Sequence, residues 1–234
     1  MTITEIRPRI IFEEFENTSN GFVNDFNTFI PMSKIGSLLL LESAIITSLA
    51  RIADAKNIFE FGTYLGGTAA TLAKNMGDDC LIYSLDLDPN AYEIDSENMS
   101  NLKDANENDE YLRDVFIKNG PVFIDSLNTE HLKKVKKLNL NSKELNVKDL
   151  GFDNKFDLIF IDGGHDLDTI TNDTNKALEM VKSNAFIIWH DFRSKIHNEV
   201  TVFMEEFHKN KNIVHVQNTM LAVMPIGKFS KLFG

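Results

Sequence analysis

Residues 57–76 read NIFEFGTYLGGTAATLAKNM, a short apolar run of strand character, a glycine-rich turn and then a helical stretch. Gly62, Gly66 and Gly67 stand where a strand must bend sharply into a helix and admit a ligand close to the backbone. The first amides of that helix have no internal partner, so whatever lies at the turn meets free donors. In an open parallel sheet the crevice opens beyond the carboxyl ends of the strands, which is where this turn falls.

The same alternation continues on both sides of it. Ile58–Phe61, Leu81–Leu85, Val122–Ile124, Phe156–Ile161, Ala185–Trp189, Ile213–Val216 and Met220–Met224 are the candidate strands. The helical period shows in Leu38, Leu41, Ile45, Leu49 and Ile52, in Ile170, Thr174, Ala177, Leu178 and Val181, and in Ile196, Val200, Phe203 and Phe207. These stripes are core positions. Only Gln217-Asn218-Thr219 separates the last two strands, too little for a crossover helix, so they must pair antiparallel. The fold expected is α/β: a Rossmann-like, doubly wound, mostly parallel seven-stranded sheet with helices on both faces and a C-terminal antiparallel hairpin.

Composition sets the outer bounds. A chain of 234 residues, 43% hydrophobic and 25% charged, fills one sizeable core. Its net charge of −11 argues against holding a nucleic-acid backbone or an anionic membrane surface, since both need clustered Lys and Arg. No apolar run approaches the roughly 20 residues that cross a bilayer, and no basic head precedes an apolar block, so a cytoplasmic location is the expectation. Cys80, being alone, forms no internal disulfide. Residues 1–31 carry Phe12, Phe15, Phe22, Phe26 and Phe29 in no clear period and read as an arm or cap. Those rings would cover the sheet, a pocket or a second copy in a homodimer. Residues 32–234 read as the main domain, in which the lysine-rich HLKKVKKLNLNSKELNVKD (131–149) suits a solvated helix and loop, or a lid.

The strand after the turn, LIYSLDLD (81–88), ends in Asp86, a carboxylate able to accept hydrogen bonds from the ribose hydroxyls of an adenosine. The turn is G-x-x-x-G-G rather than G-x-G-x-x-G, and the acidic Glu60 beside it would repel a diphosphate. A cationic, phosphate-free nucleoside suits it better. Glu60 would then accept from an ammonium group, directly or through water; the alternative is a carboxylate that caps nearby backbone amides.

FDLIFID (156–162) and AFIIWHD (185–191) are consecutive strands, and their ends converge at the neighbouring-strand spacing of about 4.8 Å. Asp162 closes the first, His190 and Asp191 close the second, and His165 follows Gly163-Gly164. Carboxylates and imidazoles so close shift one another unless positive charge lies between them. A divalent cation supplies it: oxygen ligands suit magnesium or calcium, while imidazole tilts toward manganese, iron or zinc. Such an ion would lower the pKa of an attacking hydroxyl and fix its approach, with His165 as general base, so Asp162 and His165 are the candidate catalytic residues. The other reading makes Asp162 a helix cap, His165 a solvent-facing loop residue and Asp191 a holder of backbone amides. Asp166 and Asp168 suit the dipole of the following helix. His131, His197, His208 and His215 have no acidic or cysteine neighbour at metal-like spacing and read as incidental.

Taken in order, FEFGTYLGGT (59–68), SLDLD (84–88), FIDSLN (123–128), FDLIFIDGGHD (156–166) and IIWHDF (187–192) resemble a class I S-adenosylmethionine (SAM)-dependent methyltransferase. They are most similar to the branch of catechol O-methyltransferase-like and antibiotic or sugar O-methyltransferases, over about Met32 to Pro225. The resemblance implies that Glu60, Gly62, Thr63, Gly66 and Gly67 hold the methionine part of SAM. Asp86 takes the ribose, Leu87 flanks the adenine, and Asp125-Ser126 meet its edge at the end of the third strand. It implies further that a divalent metal (magnesium, manganese or calcium) sits on Asp162, His190 and Asp191, although His190 stands where an acid is more usual. The activity implied is methyl transfer from SAM to a hydroxyl of a small-molecule acceptor, without nucleic-acid or membrane partners. A nucleotide-dependent oxidoreductase and a catalytically inactive binding or assembly protein of the same fold are the competing readings.

Overall fold

The computed structural model describes residues 3–19, 25–30, 36–87 and 107–233; the expected boundary at 31/32 and Phe22 fall outside them. The strands are β1 (Thr4–Ile6), β2 (Asn57–Phe61), β3 (Leu81–Asp86), β4 (Val135–Asn139), β5 (Phe156–Ile161), β6 (Val181–Trp189), β7 (Val214–Val216) and β8 (Ala222–Pro225). They form one sheet in the order β1-β7-β8-β6-β5-β2-β3-β4. β8 runs antiparallel to both β6 and β7, and the other neighbouring pairs are parallel. The helices are α1 (Pro8–Ser19), α2 (Leu40–Ile52), α3 (Gly67–Asn75), α4 (Glu107–Asn119), α5 (Val122–Asp125), α6 (Thr129–Leu132), α7 (Leu167–Met180) and α8 (Asn198–Phe207).

The period-two alternation of a strand divides the core between two faces. Along β5, Leu158 and Phe160 pack on one face with Ile45 and Leu49 of α2 and Ala69 and Ala73 of α3. Ile159 and Ile161 pack on the other with Ile170 and Ala177 of α7 and Val200 and Met204 of α8, and Phe156 joins them across a register shift between it and Leu158. Covered on both sides, β5 is buried throughout, which is why its sequence is a near-continuous apolar run. The strand order reverses between β2 and β5. At such a switch point successive connections leave in opposite directions and open a crevice beyond the strand ends.

Three expectations about secondary structure change. Val122–Ile124 is not a strand but lies in the short helix α5, entered from Pro121 and closed by backbone bonds from Asp125 to Pro121 and from Ser126 to Val122. Three β-prone residues cannot hold a strand when tertiary packing uses one of them otherwise: Ile124 is fully buried on Gly66. The strand beside β3 comes from the lysine-rich segment instead, as β4, with Val135 buried while Lys136 and Lys137 stay exposed. Lysines on an outermost strand oppose edge-to-edge association, so their presence marked an edge, not a solvated helix. The sheet also has one strand more than expected, because Thr4–Ile6 pairs in parallel with Val214–Val216 at the other edge.

The anticipated hairpin is present, with Val214 paired to Val223 and His215 to Ala222. Among the described residues no helix is long and apolar enough to cross a membrane.

Candidate active site

The strand ends at the switch point are laced together before any ligand arrives. Gly62 N donates to the Leu85 carbonyl at 2.8 Å, and Asp162 N donates to the Phe61 carbonyl at 2.9 Å. Gly62 has φ +88°, and a Cβ there would stand 2.0 Å from the Asp162 carbonyl oxygen. Only glycine lets the turn lie flat against the end of β5. Gly66, at φ +78°, repeats the requirement one residue before α3, where a Cβ would meet Ile124 Cγ1 at 2.6 Å.

Asp86 at the tip of β3 stabilises this turn. Its Oδ2 accepts from Thr63 N (3.0 Å) and Tyr64 N (2.8 Å), and its Oδ1 accepts from Leu87 N (2.8 Å). Burial raises its carboxyl above the usual range, and the three amide bonds work against that rise. The amide-capping role considered for Glu60 therefore belongs to Asp86. A carboxylate offers about four acceptor positions, so Asp86 keeps capacity for roughly one further hydroxyl.

Glu60 lies one layer deeper, 1% exposed, and its partners are hydroxyls: Ser84 Oγ donates to it, and Thr68 also bonds to it. Thr63 Oγ1 is 2.7 Å from Ser84 Oγ, so a hydroxyl relay runs from the turn to the buried acid. Burial, together with the charges of Asp162 and Asp86, outweighs the hydroxyl bonds and pushes the Glu60 carboxyl up to about 8.

The ends of β5 and β6 bring together the second group. His190 Nδ1 is 3.1 Å from Asp162 Oδ1 and 3.1 Å from Asp191 Oδ2, while His190 Nε2 is 3.4 Å from Glu42 Oε2. Burial works against charging this ring, but the carboxylates of Asp162, Asp191 and Glu42 prevail and hold its pKa well above the ordinary histidine value. Asp191 Oδ2 also meets His165 Nε2 at 3.1 Å. Burial would raise the Asp191 carboxyl, yet the bonds from His165 and His190 keep it far below the carboxylate range. Asp191 sits at φ +58°, a left-handed kink that directs its side chain back across the strand ends.

Asp162 is not a helix cap: α7 is capped by Asp166, whose side chain accepts from Thr169 N at 2.9 Å. Asp125 and Ser126, expected at a strand end, fall at the close of α5. There Asp125 pairs with Lys137 Nζ (3.2 Å) and Ser126 Oγ bonds to the Phe123 carbonyl. The strand-end position beside β3 is taken by the residues following Asn139.

Three contributors carried little sequence signal. Glu42 is fully buried, accepts from Leu39 N and Met220 N, and meets His190. The clue was a lone acid next to Leu41 on the apolar stretch of α2. Phe123 lines the cleft with Phe29, their rings 5.0 Å apart. His197 stacks on His165 with ring centres 3.6 Å apart and rings 15° from parallel, so the reading of it as incidental is corrected. Its imidazole neighbour is distant in sequence, and Asp191, six residues before it, comes near only because the loop turns back. An open cleft lies over the turn, bordered by Thr28, Phe29, Thr63, Tyr64, Phe123 and Asp162.

A turn at the switch point, an acid at the tip of β3 and an acid–histidine cluster at the ends of β5 and β6 fit a class I methyltransferase architecture. A family profile described as "Methyltransferase domain" matches residues 59–192, more than half of the chain, and the chain belongs to that family. Solved structures agree in fold. The SAH-bound methyltransferase PaMTH1 of Podospora anserina is 15% identical, with TM-score 0.54 over 94% of this chain and 88% of that one. Cofactor-bound Rv0187 from MTB is 15% identical, with TM-score 0.55 over 93% and 88%. The O-methyltransferase TomG of Streptomyces achromogenes, involved in tomaymycin synthesis and solved with SAM, is 12% identical, with TM-score 0.51 over 97% and 92%. No curated protein matches the sequence.

Proposed function

We propose that this chain transfers the methyl group of SAM to a hydroxyl of a small-molecule acceptor, with a divalent ion at Asp162, His190 and Asp191 and with His165 as general base. The observation that carries the reading is the closure of Gly62 on Asp162, which leaves the nucleoside turn and the acid–histidine cluster no room to be anything but neighbours. SAM or SAH bound in the neighbouring structures supports the cofactor. The residues present suit it as well. Asp86 retains an acceptor position for a ribose hydroxyl, with Leu87 next to it for the adenine. The relay through Thr63 and Ser84 leads from the cleft to Glu60, beside Gly66 and Gly67 at the start of α3. Asp125 and Ser126 lie outside this proposal because they close a helix and have their own partners.

The metal also suits its donors. Two ligands on one ion bound at 2.0–2.2 Å stand about 3.3 Å apart, close to the 3.1 Å from His190 Nδ1 to each aspartate. The other ring nitrogen of His190 meets the buried Glu42, the kind of outer carboxylate that orients a ligating histidine. One imidazole in the set favours manganese, iron or zinc over magnesium or calcium.

SAM supplies an electrophilic methyl carbon on a sulfonium centre, and the ion would supply positive charge that lowers the acceptor hydroxyl's pKa. The protein's own part is to orient and to move a proton. Asp191 holds His165 Nε2 at 3.1 Å and so fixes the ring that would take the hydroxyl proton. Asp86 fixes the turn, and Phe29 and Phe123 exclude water from one wall of the cleft.

Calorimetric titration with S-adenosylhomocysteine and with NAD tests the reading. Binding of the first and not of the second is the expected result; the reverse would favour an oxidoreductase, and binding of neither a non-catalytic role. The same titration reads Glu60. Unfolded or exposed, this carboxyl ionises near pH 4.5, but in the free protein it stays protonated up to about pH 8. A ligand ammonium favours the ionised form, so binding should release close to one proton at pH 7, and affinity should rise between pH 6 and 7.5. Repeating the titration in buffers of different ionisation enthalpy measures that proton. Glu60→Gln should abolish the release and weaken binding about tenfold. Proton release that survives in Glu60→Gln would assign it to another group.

A further inference from the structure

The loop after β6 turns back on itself. Ser194 N donates to the Asp191 carbonyl at 3.0 Å, and Ser194 Oγ accepts from Ile196 N (3.2 Å) and His197 N (3.3 Å). Arg193 N donates to Thr201 Oγ1 at 2.8 Å, and the Arg193 guanidinium pairs with Glu5 of β1. The loop is thus pinned at the first turn of α8 and at the sheet edge, and its fold returns His197 to Asp191. His165 reaches the same place from the loop after β5. One ligand atom each from His165, Asp191 and His197 lie within 4.8 Å of one another.

We propose that His165, Asp191 and His197 form a second cation site, selective for a zinc-like ion, and that filling it silences the enzyme by occupying His165. The inhibitory part rests on the reading of His165 as the base; the site itself does not. Two imidazoles and one carboxylate are the donor set of three-ligand zinc sites, whereas magnesium and calcium prefer oxygen. The 3.1 Å between His165 Nε2 and Asp191 Oδ2 is close to the ~3.3 Å edge of a tetrahedral zinc site; His197, whose ring stacks nearly parallel on His165, would have to turn out of the stack to aim its lone pair at the same ion. Asp191 and His197 are buried, at 7% and 8% exposure, while His165 is 21% exposed by its side chain and opens the site to entry and to a fourth, water ligand. Asp191 belongs to both triads, so the two ions would share its carboxylate, as in paired-metal centres with ions ~3.5–4 Å apart.

Zinc chloride titrated calorimetrically into the whole protein should bind two equivalents per chain. His197→Asn should lose one of them, and Asp162→Asn should lose the other. Methyl transfer, measured relative to each protein's own zinc-free rate, should fall as the His197-dependent equivalent fills. His197→Asn should need at least ~10–100-fold more zinc for the same loss. Cobalt(II) in the wild-type protein provides a readout independent of any variant's folding, since its visible spectrum should show two successive environments. A single equivalent and a single cobalt environment would overturn the site. A second equivalent that is His197-dependent yet leaves the rate unchanged would overturn the inhibitory role and, with it, His165 as base. If no methyl transfer is found under any condition the proposed function fails, while the two stoichiometries still decide the site.

Discussion

Gly62→Ala is expected to cost the protein more than about 3 kcal/mol of stability and to abolish SAM binding together with the fold. Two effects add. The backbone sits at φ +88°, where a side chain is strained, and the new methyl would stand 2.0 Å from a backbone oxygen, the Asp162 carbonyl, which no rotamer change can move. Relief requires parting β2 from β5 at the end of their ladder, which would break the Asp162 N to Phe61 bond and dislodge both halves of the site. Gly67→Ala is the control. A Cβ there meets nothing closer than Phe123 Cδ2 at 3.7 Å, and alanine suits the first position of a helix. Thermal melting distinguishes the two: a drop of roughly 6–12 °C or a failure to fold for Gly62→Ala, and a near wild-type transition for Gly67→Ala. A Gly62→Ala protein melting with the wild type would show that the strand ends are not locked as described.

Asp191→Asn should lower kcat by about 10²–10⁴ while leaving the affinity for S-adenosylhomocysteine within about threefold. Asparagine keeps the size of the side chain and tolerates the left-handed φ of +58°, so the variant removes charge with little cost to the backbone. What it takes away is the carboxylate that lies 3.1 Å from both His165 and His190. On the proposed reading, the base would lose its orienting partner and the ion one ligand in the same step. Cofactor affinity is the internal control, because Asp86 and Glu60 are held by Thr63, Tyr64 and Ser84 and not by Asp191. Unimpaired turnover in this variant would remove Asp191, and the cluster built on it, from the chemistry.

The parts of this protein that the sequence made legible share a physical origin. β2, β5 and the Ala185–Trp189 part of β6 are covered on both faces, so their composition is largely dictated and they stand out as near-continuous apolar runs. The glycine turn was legible because a strained backbone admits few residues, and the antiparallel hairpin because a link too short for a crossover helix forbids any other pairing. The edges were not. β4 carries lysines because it is the outermost strand on its side of the sheet, and β1 is only three residues long, so neither had to write a periodic signature.

Within the candidate site, sequence placed Asp162, His190 and Asp191 together because adjacent strands end side by side, with His165 in the short loop after the first of them. It could not divide the duties of the carboxylates. That Asp86 braces the turn while Glu60 is sealed behind hydroxyls depends on a few ångströms of depth, and depth is a property of packing. Glu42 and His197 became members of the cluster only through contacts between residues far apart in the chain. The order of residue types thus determined the architecture and the kind of chemistry, since burial and backbone geometry act locally along each element. Which groups are charged, paired or exposed was decided by the folded structure, because electrostatics depends on distances that no single element sets.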